Sequence, residues 1–170
     1  MANKILLINP KNAFNIGNTI RNASCFWPLF DEVIWTGDRV QHPDNWPEKA
    51  RLPRQERMKG FQNIKMTHNP NYRVKDNGLY NIAVELMPDS ENLFEVEFQL
   101  DNCLLIFGPE DGNIPRTLLQ HCYKFIQIPS LHCFNLASAA TIVISKFAEQ
   151  SGLFGGQASQ YVMESEVRSR

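Results

Sequence analysis

Three short motifs contain the residue types that could do chemistry: NIGNTIR at residues 15–21, GPEDG at 108–112 and IPSLHCFN at 128–135. Arg21 can hold a phosphate through two parallel hydrogen bonds, because its guanidinium is planar and stays charged. The glycines of GPEDG allow a ligand to approach the backbone closely. The two carboxylates of the same motif disfavour a phosphate and favour a cationic ligand.

Each motif also has a structural interpretation, which the residues alone leave open. An isolated arginine on a helix is usually a solvated surface residue, and GPEDG can be a tight turn before a helix. Asn135 stands where the N-cap of an apolar helix would stand. The chain contains neither a P-loop nor a G-x-G-x-x-G dinucleotide fingerprint, and its four histidines have no metal-ligand spacing. We therefore expect no bound metal.

The composition is that of a globular protein whose charge is unevenly distributed. The 170 residues are 43% hydrophobic and carry a net charge of −1, so the chain as a whole is not basic. Residues 43–75 contain eight Lys or Arg against three acidic residues, whereas residues 76–115 contain nine Asp or Glu and no Lys or Arg. This asymmetry is compatible with a local polyanion-binding patch in the basic stretch.

The cysteines and the N-terminal run bear on cellular location. The four cysteines have no C-x-x-C spacing, which predicts reduced thiols, no disulfide framework and no zinc site. The first apolar run is too short for a signal peptide or a membrane span. We expect a cytoplasmic protein with no membrane partner.

Alternating strands and helices must position the three motifs. Short apolar runs predict strands at 4–8, 32–36, 81–86, 101–107 and 125–128, and periodicity with capping signals predicts helices at 15–26, 115–121 and 135–150. Pro115 is expected at the first position of its helix, Gly152 after the end of the last, and a short helix from Arg54. The pattern favours a single α/β domain, with a mainly parallel sheet and helices on both faces.

Ligands bind such sheets at the carboxyl ends of the strands. NIGNTIR, Glu85, GPEDG and residues 129–135 each follow or end a predicted strand. We expect them to meet at one edge as loops that form one pocket, with the Asn and Gly residues of NIGNTIR shaping the first loop.

The three motifs, in this order, resemble those of the SpoU branch of the SPOUT superfamily, RNA methyltransferases that use S-adenosylmethionine. NIGNTIR matches N-x-G-N-x-x-R, and FGPEDGNIP at 107–115 matches F-G-P-E-x-x-G-(I/L)-P with one residue fewer before the second glycine. Ile128-Pro129, followed by Asn135 and a helix of small residues, matches the third motif. The resemblance spans residues 4 to about 150.

The resemblance implies a deep trefoil knot in the C-terminal part of a methyltransferase domain at 1–154, followed by a polar tail at 155–170. It also implies a homodimer that binds S-adenosylmethionine in the knot without a metal. The acceptor would be a ribose 2′-hydroxyl of RNA, aligned by an arginine that holds the adjacent phosphate. tRNA is favoured over rRNA, because compact members of the family often act on tRNA.

By position in the motifs, the resemblance implies four catalytic residues: Arg21, Asn18, Glu110 and Asn135. Arg21 would reach the active site of the partner subunit, and Glu110 would orient Arg21 or the loop. The usual serine of the third motif is Cys133 here, a weaker hydrogen-bond donor, and the segment before Asn135 is shorter. The cofactor would contact Glu85, Leu86, Phe107, Gly108, Gly112, Ile128, Pro129, Cys133 and Leu136.

RNA would be held by the basic stretch at 49–75, whose phosphate contacts give salt-dependent affinity; a solvated loop is the structural alternative. The candidate contacts are Arg51, Arg54, Arg57 and Lys59. A catalytically silent knotted RNA-binding protein stays open, supported by Cys133 and the short third motif, although the presence of Arg21, Glu110 and Asn135 together opposes it. A small-molecule-binding α/β domain would leave the basic stretch unexplained.

Overall fold

The computed structural model describes residues 3–40 and 63–153. Within them, seven strands form one parallel sheet in the order β3-β2-β1-β6-β4-β7-β5, with three helices. The strands are β1 Lys4–Leu7, β2 Glu32–Trp35, β3 Lys65–His68, β4 Tyr80–Val84, β5 Glu91–Asn92, β6 Cys103–Phe107 and β7 Lys124–Gln127; the helices are α1 Ala13–Cys25, α2 Arg116–Leu119 and α3 Leu136–Ser151.

Both faces of the sheet are covered, which explains why its central strands are continuous apolar runs. All five residues of β6 are buried. Side chains alternate along each strand, so Ile5 packs in a core cluster with α1 and α3 while Leu6 packs in a second cluster that includes Leu118 of α2. The predicted parallel sheet with helices on both faces is confirmed.

The first motif is helical, which confirms the helix predicted from residue 15 and contradicts the expectation that its Asn and Gly residues shape a loop. Helix α1 begins at Ala13, and Asn12 caps it by accepting a hydrogen bond from the backbone N–H of Phe14 at 2.9 Å. Asn15, Gly17 and Asn18 therefore lie in the first two turns of the helix. The cap three residues upstream outweighed the low helix propensity of these residues.

Smaller differences concern short elements. Strands β3 and β5 were not predicted, because β3 is a partly exposed KMTH and β5 is only two polar residues long. Pro115 is the N-cap of α2 and not its first residue. Gly152 ends α3 in the left-handed conformation, with φ 66°, as predicted. The predicted helix from Arg54 and the polar tail lie outside the described residues, and the knot stays a prediction.

Helices α1 and α3 pack side by side on one face of the sheet. The side-chain amide of Asn22 in α1 donates a hydrogen bond to the hydroxyl of Thr141 in α3. The N-terminal ends of both helices thereby come to the edge of the sheet where β4, β6 and β7 end.

The amino ends of the first three strands are joined by a closed ion cluster. Glu32, 6% exposed, accepts hydrogen bonds from Lys4 at 2.7 Å and Thr67 at 2.5 Å, and pairs with Lys65 at 3.1 Å. Burial raises the pKa of the Glu32 carboxyl, but the hydrogen bonds from Lys4, Thr67 and Lys65 outweigh it and hold that pKa below its usual value. Every charge in this cluster has a partner.

Candidate active site

A cleft of about 370 Å³ lies at the carboxyl ends of β4, β6 and β7. We call it the carboxyl-edge cleft. It forms there because β4 pairs with both β6 and β7, so the three loops that leave these strands start side by side. Eight of the nine predicted cofactor contacts line it: Glu85, Leu86, Phe107, Gly108, Gly112, Ile128, Cys133 and Leu136. Pro129, the ninth, is exposed in the loop after β7 and is not among the lining residues.

Glu85 ties two walls of the cleft together. One carboxylate oxygen accepts a hydrogen bond from the backbone N–H of Ile114 at 2.9 Å, and the other accepts one from the N–H of Leu86 at 3.1 Å. Gly108 lies directly beneath this contact. A Cβ at Gly108 would come within 3.2 Å of the Ile114 side chain, so this position favours glycine for reasons of space.

Three polar side chains from separate motifs meet beside the cleft and form what we call the asparagine network. The amide of Asn15 donates to the Glu110 carboxylate at 2.6 Å, and the amide of Asn135 donates to the Asn15 oxygen at 3.0 Å. The second oxygen of Glu110 accepts from the backbone N–H of Lys11 at 2.8 Å. The predicted catalytic residues Glu110 and Asn135 are thus joined through Asn15.

Asn15 belongs to the first motif but was not among the predicted catalytic residues. A signal for it existed in the sequence. It shares a helical face with Thr19 and Ala23, both buried, and it is itself only 7% exposed. A buried asparagine on the apolar face of a helix needs hydrogen-bond partners, and a partner outside the helix marks a network.

The contacts of Asn135 allow both of its predicted roles, as the N-cap of α3 and as a residue of the active site. Its side-chain oxygen caps α3 by accepting from the N–H groups of Ala137 at 2.9 Å and Ser138 at 3.3 Å. Its amide group stays free of the cap and reaches Asn15. The structural interpretation of Asn135 as an N-cap is therefore correct, and it does not exclude a role at the cleft.

Arg21 and Asn18 lie on the exposed side of α1, one turn apart, and neither lines the carboxyl-edge cleft of its own chain. Within residues 3–40 and 63–153, the Arg21 guanidinium makes no hydrogen bond or ion pair. Glu110 contacts Asn15 and Lys11, so the prediction that it orients Arg21 does not hold within one chain. Its alternative, that Glu110 orients the loop, agrees with these contacts.

The surface of the cleft combines apolar and acidic groups. Glu85 and Glu110 line it, and no Lys or Arg of the described part of the chain does. Leu86 is 67% exposed and Leu131 is 95% exposed, so apolar surface faces the opening. Such a site suits a ligand with a flat apolar ring and a positive charge, and it opposes a phosphate.

The four cysteines differ in accessibility. Cys133 is exposed and lines the cleft, and Cys25 is exposed on α1. Burial raises the pKa of the Cys103 thiol to about 12 and that of Cys122 to about 11. Cys133 and Cys25 are exposed, so they are the thiols that a reagent can reach.

Three further predictions concern the RNA-binding residues, a metal and a membrane span. Arg51, Arg54, Arg57 and Lys59 lie outside the described residues. Among the residues described, no group of three His, Cys, Asp or Glu is arranged to hold a metal ion. No helix there is long and apolar enough to cross a membrane.

This fold and site define an α/β domain with an all-parallel sheet and a ligand cleft at the carboxyl ends of its strands. The chain belongs to the SpoU rRNA Methylase family, whose family model matches residues 2–145. No sequence of a curated protein is significantly similar to it.

Solved structures share the fold at low sequence identity. An rRNA methyltransferase from Sinorhizobium meliloti matches with a TM-score of 0.71 and 18% identity, over 87% of this chain and 56% of that one. The SpoU methyltransferase AviRb from Streptomyces viridochromogenes, in complex with AdoMet, matches at 0.68 and 19%, over 87% and 60%.

A third structure, concerned with the 2-OH methylation of C/U34 on tRNA, matches at 0.63 and 18%, over 88% of this chain and 95% of that one. The present chain thus spans a little over half the length of the first two proteins and nearly all of the third.

Proposed function

We propose that this protein transfers a methyl group from S-adenosylmethionine to a ribose 2′-hydroxyl of RNA. The observation that carries the proposal is the asparagine network: Asn15, Glu110 and Asn135 come from three motifs far apart in sequence and meet at one cleft. Membership of the SpoU family supports the reaction class. The structure concerned with 2-OH methylation on tRNA supports the 2′-hydroxyl and favours tRNA over rRNA.

The carboxyl-edge cleft has the chemistry that this cofactor needs. When bound, S-adenosylmethionine supplies a methyl group that its sulfonium makes electrophilic. The carboxylates of Glu85 and Glu110 give the cleft a negative potential that attracts a sulfonium and an ammonium. Leu86 and Leu131 offer exposed apolar surface that an adenine ring can cover. Cys133 takes part as a cleft residue with weak hydrogen-bonding capacity.

The network positions groups and does not itself react. Glu110 fixes Asn15 and the backbone of Lys11, so α1 and the GPEDG loop keep one relative position. Asn135 fixes the start of α3 against the same asparagine. Preorganised side chains of this kind align a nucleophile without paying for reorganisation during the reaction.

Arg21 holds the RNA phosphate next to the acceptor ribose. Because a guanidinium carries hydrogen-bond donors and no acceptor, Arg21 positions the phosphate and does not accept the hydroxyl proton. It lies outside the cleft of its own chain, so it acts at the cleft of a second subunit in a homodimer. A knotted C-terminal part and RNA contacts by Arg51, Arg54, Arg57 and Lys59 belong to the same proposal.

Cys133 provides a direct test of cofactor binding. The protein is treated with a maleimide reagent, with and without S-adenosylhomocysteine, and labelling of each cysteine is followed by peptide mass spectrometry. The ligand should slow the labelling of Cys133 in the folded protein. It should not change the labelling of Cys133 in urea-unfolded protein, in which the cleft does not exist. Equal labelling of Cys133 at saturating ligand would contradict cofactor binding in this cleft and would favour the silent RNA-binding alternative.

A further inference from the structure

A second concavity, of about 700 Å³, lies at the opposite edge of the sheet. We call it the amino-edge cleft. Its walls are residues 74–81, 99–102 and 120–123, around the amino ends of β4, β6 and β7. Because it and the carboxyl-edge cleft lie at opposite ends of the same three strands, the methyl-transfer chemistry proposed above does not use it.

An aromatic platform forms one side of this cleft. The rings of Tyr80 and Tyr123 stack with centroids 5.1 Å apart and planes 16° apart. Tyr123 is 70% exposed, so the ring face that Tyr80 does not cover is open to solvent. A large aromatic ring left open beside a concavity is a surface for another planar group.

The floor beneath the platform is rigid. Asn81, 3% exposed, donates to the backbone oxygens of His121 at 2.9 Å and Val74 at 3.3 Å, and accepts from the side chain of Asn77 at 2.9 Å. Asn81 therefore ties the loop before β4 to the segment that carries Tyr123. A platform held in this way loses little conformational entropy when a ligand binds.

The rim supplies hydrogen-bonding groups and little net charge. The side chains of Gln99 and Gln120 are exposed and carry amides that both donate and accept. Lys75 stands against Asp76 and Asp101 among the lining residues, which leaves one net negative charge. This chemistry suits a neutral planar ligand with polar edges and gives no preference to a phosphate.

The backbone around the cleft is unusual. Asp76 has φ 56° and Asn102 has φ 54°, both in the left-handed region that residues other than glycine rarely adopt. Two of the three such residues in the described chain thus line this one cleft. Asp and Asn enter this region more readily than other non-glycine residues, so the two positions shape the loops before β4 and β6.

We propose that the amino-edge cleft binds an unpaired nucleobase of the RNA substrate. The base stacks on the open face of Tyr123, and Gln99 and Gln120 hydrogen-bond to its edge. Single-stranded RNA is recognised in this way, by stacking on aromatic side chains and by contacts to exposed base edges. The inference rests on the proposed function for the identity of the polymer, and it gives the enzyme a second contact remote from the reacting ribose.

The test is the affinity for RNA, measured by fluorescence anisotropy with a labelled single-stranded RNA of mixed sequence and with total tRNA as competitor. Tyr123→Ala should weaken binding by about fivefold or more, the low end of the loss when one base–aromatic stack is removed. Tyr123→Phe should bind like the original chain, because it keeps the ring. Phe94→Ala, which removes an aromatic side chain 59% exposed and outside both clefts, should also leave affinity unchanged.

Two further measurements keep the outcome decisive. The Gln99→Ala/Gln120→Ala double variant leaves the tyrosine stack intact and should also weaken binding. If Tyr123→Ala does not fold, Tyr123→Leu keeps apolar contact with Tyr80 while removing the aromatic face. Unchanged RNA affinity in the folded Tyr123 variant would overturn this inference alone, provided that the unmodified protein binds and methylates RNA. Failure of the unmodified protein to bind RNA would overturn the proposed function as well.

Discussion

Two glutamates at opposite ends of the strands, Glu32 and Glu110, have opposite environments. At the amino ends of β1–β3, Glu32 is buried and meets three side-chain donors in a closed cluster. At the carboxyl edge, Glu110 is exposed, lines a cleft and accepts from an asparagine and a backbone N–H. In the first arrangement, each charged group is paired with another group of the fold. The second holds a carboxylate in place and leaves its charge available to a ligand.

The difference teaches which polar residues of this chain are structural and which are functional. A buried carboxylate that loses its partners costs stability, whereas an exposed carboxylate that is held in one position costs little to keep. Mutations at the closed cluster should therefore change the free energy of unfolding and not the rate per folded molecule. Mutations at the carboxyl edge should lower the rate per folded molecule, with a loss of stability only at Asn15 and Asn135, whose hydrogen bonds also support the fold.

The largest expected effect on methyl transfer is that of changing Arg21, whose guanidinium makes no hydrogen bond or ion pair within residues 3–40 and 63–153. Arg21→Ala should lower methyl transfer to RNA by about a hundredfold or more, because the acceptor is no longer aligned. Its melting temperature should not change, since the side chain is exposed. Single-turnover kinetics and a thermal melt measure the two quantities, with Lys146→Ala, which removes a half-buried cation of α3 paired with Glu149, as the control that should retain transfer. Unchanged transfer would remove Arg21 from the mechanism.

The next effect concerns Asn15, which joins Glu110 to Asn135. Asn15→Ala removes a hydrogen bond to a charged group, which should lower the free energy of unfolding by about 1.5–3 kcal/mol. It also releases Glu110 and Asn135 from their fixed positions, so transfer per folded molecule should fall by about tenfold or more. Asn15→Asp should be worse, because it places a second carboxylate against Glu110. Asn22→Ala, on the same helix but bonded to Thr141, is the control and should retain transfer. If both helix variants lose equal activity, the effect comes from α1 packing and not from the network.

Glu32→Ala tests the closed cluster. It should lower the free energy of unfolding by about 2 kcal/mol, less than for a fully buried pair because Lys65 is 72% exposed. Chemical denaturation measures this change. Transfer per folded molecule, assayed well below the melting temperature, should be unchanged, and a loss comparable to that of Asn15→Ala would erase the distinction between the two edges.

The same cluster predicts an acid dependence. The pKa of Glu32 is lowered in the folded protein, so its contribution to stability is complete above the unfolded pKa, near 4.3, and is lost as the pH falls through the folded pKa. The unmodified protein should therefore lose more stability than Glu32→Gln over this acidic range. Parallel stability curves for the two proteins in acid would contradict this role of Glu32.

The smallest expected effect separates the two roles of Asn135. Asn135→Ala should cost about 1 kcal/mol of stability through loss of the N-cap. Asn135→Ser keeps a capping oxygen but loses the amide that reaches Asn15, so it should retain stability and lose part of the transfer rate. Thermal melts and single-turnover rates on the pair decide between them; full activity in the Ser variant would reduce Asn135 to a cap.

The sequence predicted those parts of the molecule that depend on local patterns. The five apolar runs are the central strands, because a strand buried on both faces needs a continuous apolar sequence. Asn135 and Gly152 mark the two ends of their helix, because capping depends on local sequence. The edge strands β3 and β5 were not predicted, because an edge strand does not need an apolar sequence pattern.

The candidate site was predicted as a set of residues but not as a set of contacts. The motifs identified most of the residues that line the carboxyl-edge cleft, whereas the partner of Glu110 depends on how α1 packs over the GPEDG loop. That packing is tertiary, so the predicted helix at 15–26 did not specify which of its side chains would face the GPEDG loop. The amino-edge cleft was invisible for the same reason, because Tyr80 and Tyr123 come together only through the pairing of β4 with β7.

The most direct test of the central claim is the identity of the methylated product. The purified protein is incubated with isotope-labelled S-adenosylmethionine and unmodified total tRNA or rRNA, the RNA is digested to nucleosides, and the labelled nucleoside is identified by mass spectrometry. The account predicts a 2′-O-methylated nucleoside, formed by the unmodified protein and lost in Arg21→Ala. Label on a base, or no labelled nucleoside from a protein in which S-adenosylhomocysteine protects Cys133, would contradict it.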